Sequence, residues 1–147
     1  IVSDLFTDIP ERLFTVGRLD RDTTGLLIVT NDGHFANKVI HPSSNITKEY
    51  LVKTNFEAFH EHLVKISKGI EIDGDWVQPV KVTKIRGGTL KVVVREGKKR
   101  EVRLLVEQTG LKVLELKRIR IGGLLLESLQ EGQYRNLTES DKESLFR

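Results

Sequence analysis

Residues 17–27 read GRLDRDTTGLL, and the run IVTNDG follows at once. Two acids, two arginines and two threonines are crowded between glycines against an apolar strand. A surface turn needs far less charge than this. Asp20 stands between Arg18 and Arg21, and neighbouring cations favour the ionised form of a carboxylate. Such a group at the edge of a buried sheet serves as a base or a nucleophile. The competing reading is a loop aspartate with ordinary surface ion pairs, and the residues alone favour it.

Two further groups carry chemistry. In Lys48-Glu49-Tyr50, strand geometry points Lys48 and Tyr50 to one face and Glu49 to the other. A tyrosine beside a lysine suits stacking on a base while the ammonium meets phosphate. A half-buried strand tyrosine is the commoner alternative. In EGKKREVR, residues 96–103, a glycine turn leads into a helix with four cations in six residues. A helix N-terminus attracts anions, so Lys98, Lys99 and Arg100 are placed for phosphate contacts. Arg103 lies one turn further in, beside Val102 and Leu105. A partly buried arginine needs a carboxylate partner, and Asp20 is a candidate.

Other constellations are missing. His34, His41, His60 and His62 make no recognised metal pattern, and the last two splay apart on a helix. No Ser-His-Asp order stands out. There is no Gly-rich loop ending in Lys-Ser/Thr and no dinucleotide fingerprint. Nothing in the sequence asks for a cofactor or a metal.

Several elements must position these residues. Leu13–Leu19 reads as a strand, and Gly25–Thr30 as a second, apolar on both faces and therefore buried. Asp32 is placed to cap a helix that starts near Gly33 and ends before Pro42. Ile46–Thr54 alternates as a strand should. Residues 57–68 read as a helix with Phe59, Leu63 and Ile66 on one face and Gly69 as its stop. Asp73-Gly74 marks a hairpin turn. Gly87-Gly88 marks another, between VKVTKIR and TLKVVVR, which alternate basic and apolar residues and predict a ribbon with one basic face. A helix over Lys99–Thr109, a strand over Leu111–Ile121 and a short helix opened by Thr138 and Asp141 complete the chain. The expected class is α+β with a mixed, largely antiparallel sheet.

The 147 residues suit one domain, 1–147, and 38% hydrophobic content suffices for a core. There is no cysteine, so neither a disulfide framework nor a thiolate site is available. No apolar run approaches the roughly 20 residues of a membrane span, and no basic-then-apolar segment opens the sequence. A cytoplasmic protein is expected. The first residue is Ile1 and methionine is absent, so the chain is expected to be a piece of a longer protein. Net charge is +3, yet residues 81–120 hold 13 Lys and Arg against 4 Asp and Glu, leaving the remainder acidic. That asymmetry suggests a polyanion partner.

In their order, GRLDRDTTGLLIVTNDG, KEYLV and EGKKREVR resemble the RsuA/RluB-type rRNA pseudouridine synthases. The C-terminal LKRIRIGGLLLESLQEGQYRNLT is also similar to that family's last strand and tail. The resemblance runs from about Leu13 to Thr138. It implies a pseudouridine synthase catalytic fold that isomerises uridine in ribosomal RNA, without cofactor or metal. It implies that Asp20 is the essential aspartate. Tyr50 would stack on the base and assist proton transfer from C5, Arg103 would pair with the catalytic carboxylate, and Leu116 would pack on the uracil. Arg18, Arg21, Thr23, Lys48, Lys98, Lys99 and Arg100 would contact the RNA, whose target base must flip out.

The pattern is incomplete. The family's S4-type RNA-binding domain and its Lys-Pro strand are not in this sequence, and Leu104 stands where a second arginine is common. A monomer is expected, with large-subunit RNA slightly favoured over small-subunit RNA. Two alternatives stand beside this reading. One is a non-catalytic RNA-binding module of the same fold. The other is a protein-interaction domain whose basic strip meets an acidic partner.

Overall fold

A computed structural model of the chain describes residues 5–6, 12–95, 98 and 100–147. Its first elements are β1 (Phe14–Val16), β2 (Thr24–Gly25), β3 (Ile28–Thr30), α1 (Gly33–Ile40), β4 (Lys48–Thr54) and α2 (His60–Lys68). Next come β5 (Ile70–Ile72), β6 (Asp75–Val77), β7 (Lys81–Arg86) and β8 (Thr89–Val94). The last are α3 (Glu101–Glu107), β9 (Val113–Ile121), β10 (Leu124–Leu125) and α4 (Glu139–Ser144). Among the described residues no helix is long and apolar enough to cross a membrane.

The main sheet runs β10-β9-β4-β8-β7, antiparallel throughout, and β2 joins β9 in parallel. β1–β3 and β5–β6 are separate antiparallel pairs. This is the expected α+β arrangement with a mixed, largely antiparallel sheet.

The expected single strand over 25–30 is divided in two. Gly25 lies against β9, and the Leu26 N–H donates to the Arg118 carbonyl at 2.8 Å. The chain then changes partner, so that Ile28–Thr30 pairs with β1. The reason is local: Gly25 has φ +111, outside the β region, which turns the chain from one sheet to the other. β1 is likewise shorter than expected, because Gly17 at φ +68 ends it.

Helix α1 forms as its cap dictates. Asp32 Oδ1 accepts from the N–H groups of His34 and Phe35 at 3.0 and 3.1 Å, and Ala36 and Val39 face inward. Helix α3 begins at Glu101, not Lys99, because Arg100 adopts a left-handed conformation (φ 59) that no helix can continue. Helix α4 carries the expected reciprocal cap between Thr138 and Asp141, and Arg135 holds the Asp141 carboxyl down at about 2.

Two apolar clusters build the core. In the first, Val52, Leu90, Val92, Val94 and Leu116 of the sheet meet Ile66 of α2 and Val102, Leu105 and Val106 of α3. In the second, Val16, Leu26 and Ile28 pack with Ala36 and Val39 of α1, Ile121 of β9, Leu124 and Leu145. The β4–β9 register slips between Glu49 and Tyr50. Tyr50 pairs with Arg118, while Glu49 pairs with Arg120, so β9 gains a residue. That bulge lets Ile121 share the buried side with Leu116 and Arg118. The opposite face carries ion pairs, Lys53–Glu115 at 3.4 Å, Lys91–Glu49 at 4.0 Å and Arg120–Glu49 at 3.6 Å. The expected basic ribbon face is thus partly neutralised, and Lys84 also meets Glu57 at 3.3 Å.

Candidate active site

The Asp20 loop begins and ends in the second cluster. It leaves β1 after buried Val16 and returns at buried Leu26. The Thr23 N–H donates to the Asp20 carbonyl at 2.9 Å, closing a tight turn over residues 20–23. The Asp20 carboxylate then meets the start of α3, where its Oδ2 accepts from the Arg100 N–H at 3.0 Å. The left-handed Arg100 is what turns that N–H toward the loop.

Around Asp20 lies a cleft of about 700 Å³. Tyr50 from β4 and Leu116 from β9 supply its apolar wall, with Val94 and Val102. Arg18, Arg21, Thr23, Lys48, Lys98 and Arg100 also border it. The sequence reading of β4 holds here: Lys48 and Tyr50 face the cleft, whereas Glu49 faces away to Lys91 and Arg120. Arg18 and Arg21 are exposed. Lys98 donates to Asp75 Oδ2 at 2.8 Å, a bond that raises the lysine pKa and lowers that of the aspartate. Arg100 Nη1 stands 3.8 Å from Asp22. Lys99 lies outside the described residues.

Arg103 does not pair with Asp20. Its Nη1 donates to the Val113 carbonyl at 3.4 Å and its Nη2 to the Asp22 carbonyl at 3.3 Å. With α3 starting at Glu101, the Arg103 side chain leaves the helix toward the start of β9 and braces the loop backbone. The contact expected of it with the Asp20 carboxylate is made by the Arg100 amide instead.

Two buried residues were not singled out from the sequence. Glu101 is 3% exposed and lines the cleft. Arg118 is fully buried beneath the loop. Lys48, which lines the same cleft, feels both charges. Burial pushes its pKa below the ordinary 10.5, the Arg118 guanidinium pushes the same way, and Glu101 opposes both. The native chain therefore releases the Lys48 proton at lower pH than the unfolded chain does. Between those two values the unfolded state holds more protons, and stability rises with pH. Below that window the charged ammonium is destabilising in full. Lys48→Met is thus expected to stabilise the fold at neutral pH, with a gain that shrinks as pH climbs toward 10.5. Urea midpoints at neutral pH and near pH ~10 check this; a constant or growing gain would contradict it.

The arrangement suits a reaction on a flipped base: a carboxylate, a tyrosine and an apolar platform in one cleft, edged by cations. Among the described residues no group of His, Cys, Asp and Glu could hold a metal ion. A family model described as RNA pseudouridylate synthase matches residues 3–108. The chain belongs to that family.

Individual members agree with this assignment. A chloroplastic protein of Arabidopsis thaliana, provisionally named ribosomal large subunit pseudouridine synthase SVR1, is 45% identical over 141 residues, covering 91% of this chain and 34% of that protein. The ribosomal large subunit pseudouridine synthase B of Bacillus subtilis is 37% identical over 151 residues, covering 99% of this chain and 62% of that protein. A crystal structure of a pseudouridylate synthase superposes with a TM-score of 0.84 at 34% identity, covering 90% of this chain and 59% of that one. The chain therefore spans between 34% and 62% of the length of these relatives. Its RsuA/RluB-type character, read above from three motifs, agrees with the relatives' names.

Proposed function

We propose that this pseudouridylate synthase chain isomerises a specific uridine of ribosomal RNA, in the large subunit, to pseudouridine, with Asp20 as the essential carboxylate. The observation that carries the reading is the shared cleft of Asp20, Tyr50 and Leu116, in a chain of this family. The names of its relatives favour the large-subunit substrate.

In the reaction the N1–C1′ bond breaks, the uracil turns, and C5 joins C1′. The proton lost from C5 is balanced by one gained at N1, and no electrons are exchanged with a second reagent. Tyr50 and Leu116 hold the freed uracil while it turns, and Tyr50 assists the C5 proton transfer. Asp20 either bonds to C1′ as the base departs and is released when C5 attacks, or removes a proton from the sugar and returns it as C5 joins C1′. The Arg100 amide engages Oδ2, which leaves Oδ1 to reach the ribose. The cleft's volume lies within the usual range for small-molecule sites.

Arg18, Arg21, Lys98 and Arg100 would hold the phosphates around the flipped nucleotide. Lys98 must leave Asp75 to do so. Each phosphate contact adds about 0.7 to the slope of log affinity against log salt for single-stranded RNA. Arg21→Ala is expected to weaken binding and to lower the magnitude of that slope by about 0.7, with the chemical rate of bound RNA unchanged. Fluorescence titrations of an RNA fragment from 50 to 300 mM salt, on the order of the range where such slopes resolve, measure this. Incubation of the full-length protein with deproteinised ribosomal RNA, followed by pseudouridine mapping, tests the activity. Binding without any new pseudouridine would instead mark a non-catalytic RNA-binding module.

A further inference from the structure

Among the described residues, Arg118 is the largest fully buried side chain. Burying a guanidinium is unfavourable unless its donors are satisfied. Its donors reach two separate places on one loop. Nε donates to the Leu26 carbonyl at 2.8 Å, where the Asp20 loop ends. Nη2 donates to the Gly17 carbonyl at 2.6 Å and Nη1 to the Arg18 carbonyl at 3.5 Å, where it begins. The backbone of the same residue completes the clasp, since the Arg118 carbonyl accepts from the Leu26 N–H.

The surrounding sequence accommodates this clasp. A Cβ at Gly17 would sit 3.7 Å from Arg118 Nη1 and 3.6 Å from Lys48 Nζ, and φ is +68 there. Those are ordinary contact distances, so the positive φ, not crowding, is what an L side chain would strain there. Arg118 faces inward with Leu116 by ordinary strand alternation, and the bulge at Ile119 then brings Ile121 to the same side.

We propose that Arg118 is the positioning residue of the Asp20 loop. One planar fork ties the loop's entry to its exit, so the ten residues from Gly17 to Leu26 keep one shape, and with it one placement of the Asp20 carboxylate. Lysine cannot do the same. Its single ammonium lacks the rigid fork that spans two carbonyl sites at once. The inference rests on Asp20 being the reacting carboxylate.

The test compares Arg118→Lys, Arg118→Met and Asp20→Ala in the full-length protein. Steady-state kinetics on the ribosomal RNA substrate and hydrogen–deuterium exchange are read together. Arg118→Lys is expected to lower kcat by about 100-fold, the scale of a misplacement of roughly an ångström, with KM within about threefold. Amides of residues 17–26 exchange faster, while those of β4 and β8 keep wild-type protection. Arg118→Met shows the same regional loosening and a lower kcat than lysine gives. Wild-type kcat and loop protection in Arg118→Lys overturn the proposal. So does loosening of the whole chain or failure of both variants to fold, which would make Arg118 a determinant of the core. Because the exchange readout is independent of turnover, an active Asp20→Ala variant overturns the Asp20 reading without touching the loop result.

Discussion

Asp20→Ala loses pseudouridine formation by on the order of 10⁴-fold or more, and binds RNA within about threefold of wild type. Both halves of the result follow from the site. Among the described residues, the carboxylate meets the start of α3 through one hydrogen bond, from the Arg100 amide. Removing it leaves the Thr23–Asp20 turn, the Arg118 clasp and the apolar wall of Tyr50 and Leu116 in place. The phosphate contacts proposed for Arg18, Arg21, Lys98 and Arg100 do not depend on it. Alanine therefore deletes chemistry and spares binding. Single-turnover assays with saturating enzyme, beside an affinity titration, separate the two. Loss of RNA affinity in step with activity would mean that Asp20 organises the binding surface and does no chemistry.

Gly25→Ala is expected to destabilise the fold by about 2–4 kcal/mol. A Cβ there would lie 2.2 Å from the Arg118 carbonyl oxygen and 2.5 Å from its nitrogen, with φ at +111. Both neighbours are backbone atoms of β9, so neither can swing aside. The parallel bridge between β2 and β9 must open, and with it the bond from Leu26 to Arg118. The glycine that ends GRLDRDTTG is thus required for close approach to the strand beneath the loop. A shift of the urea midpoint with unchanged slope records the effect. A wild-type midpoint would show that β2 is not held against β9 in solution.

The sequence made some of this legible and hid the rest for physical reasons. Strand alternation was enough to place Lys48 and Tyr50 on one face and Glu49 on the other, because a period of two survives wherever the strand is regular. The cap at Asp32 and the reciprocal cap of Thr138 and Asp141 were legible because they are local. Arg118 was not singled out. It sits in LKRIRI, where alternating charge reads as a solvated strand, although Leu116 two residues earlier marks the same face. The bulge then breaks the alternation, so that Ile121, not Arg120, is buried with it. The proposed pairing of Arg103 with Asp20 failed because it depends on where α3 begins. A left-handed residue at Arg100 costs an ordinary side chain about 1–2 kcal/mol, and local propensity gives no warning of it. The apolar run over 25–30 concealed a change of sheet partner, which only long-range pairing decides.

The loop, the clasp and the start of α3 serve one end on this account: a single carboxylate held in a cleft that accepts a flipped uridine. The measurement that tests this most directly is pseudouridine mapping of ribosomal RNA from cells lacking the full-length gene, complemented with wild type or with Asp20→Ala. One large-subunit site is expected to lose pseudouridine, and only wild type to restore it. Restoration by Asp20→Ala, or a ribosomal RNA profile that does not change on deletion, would contradict it.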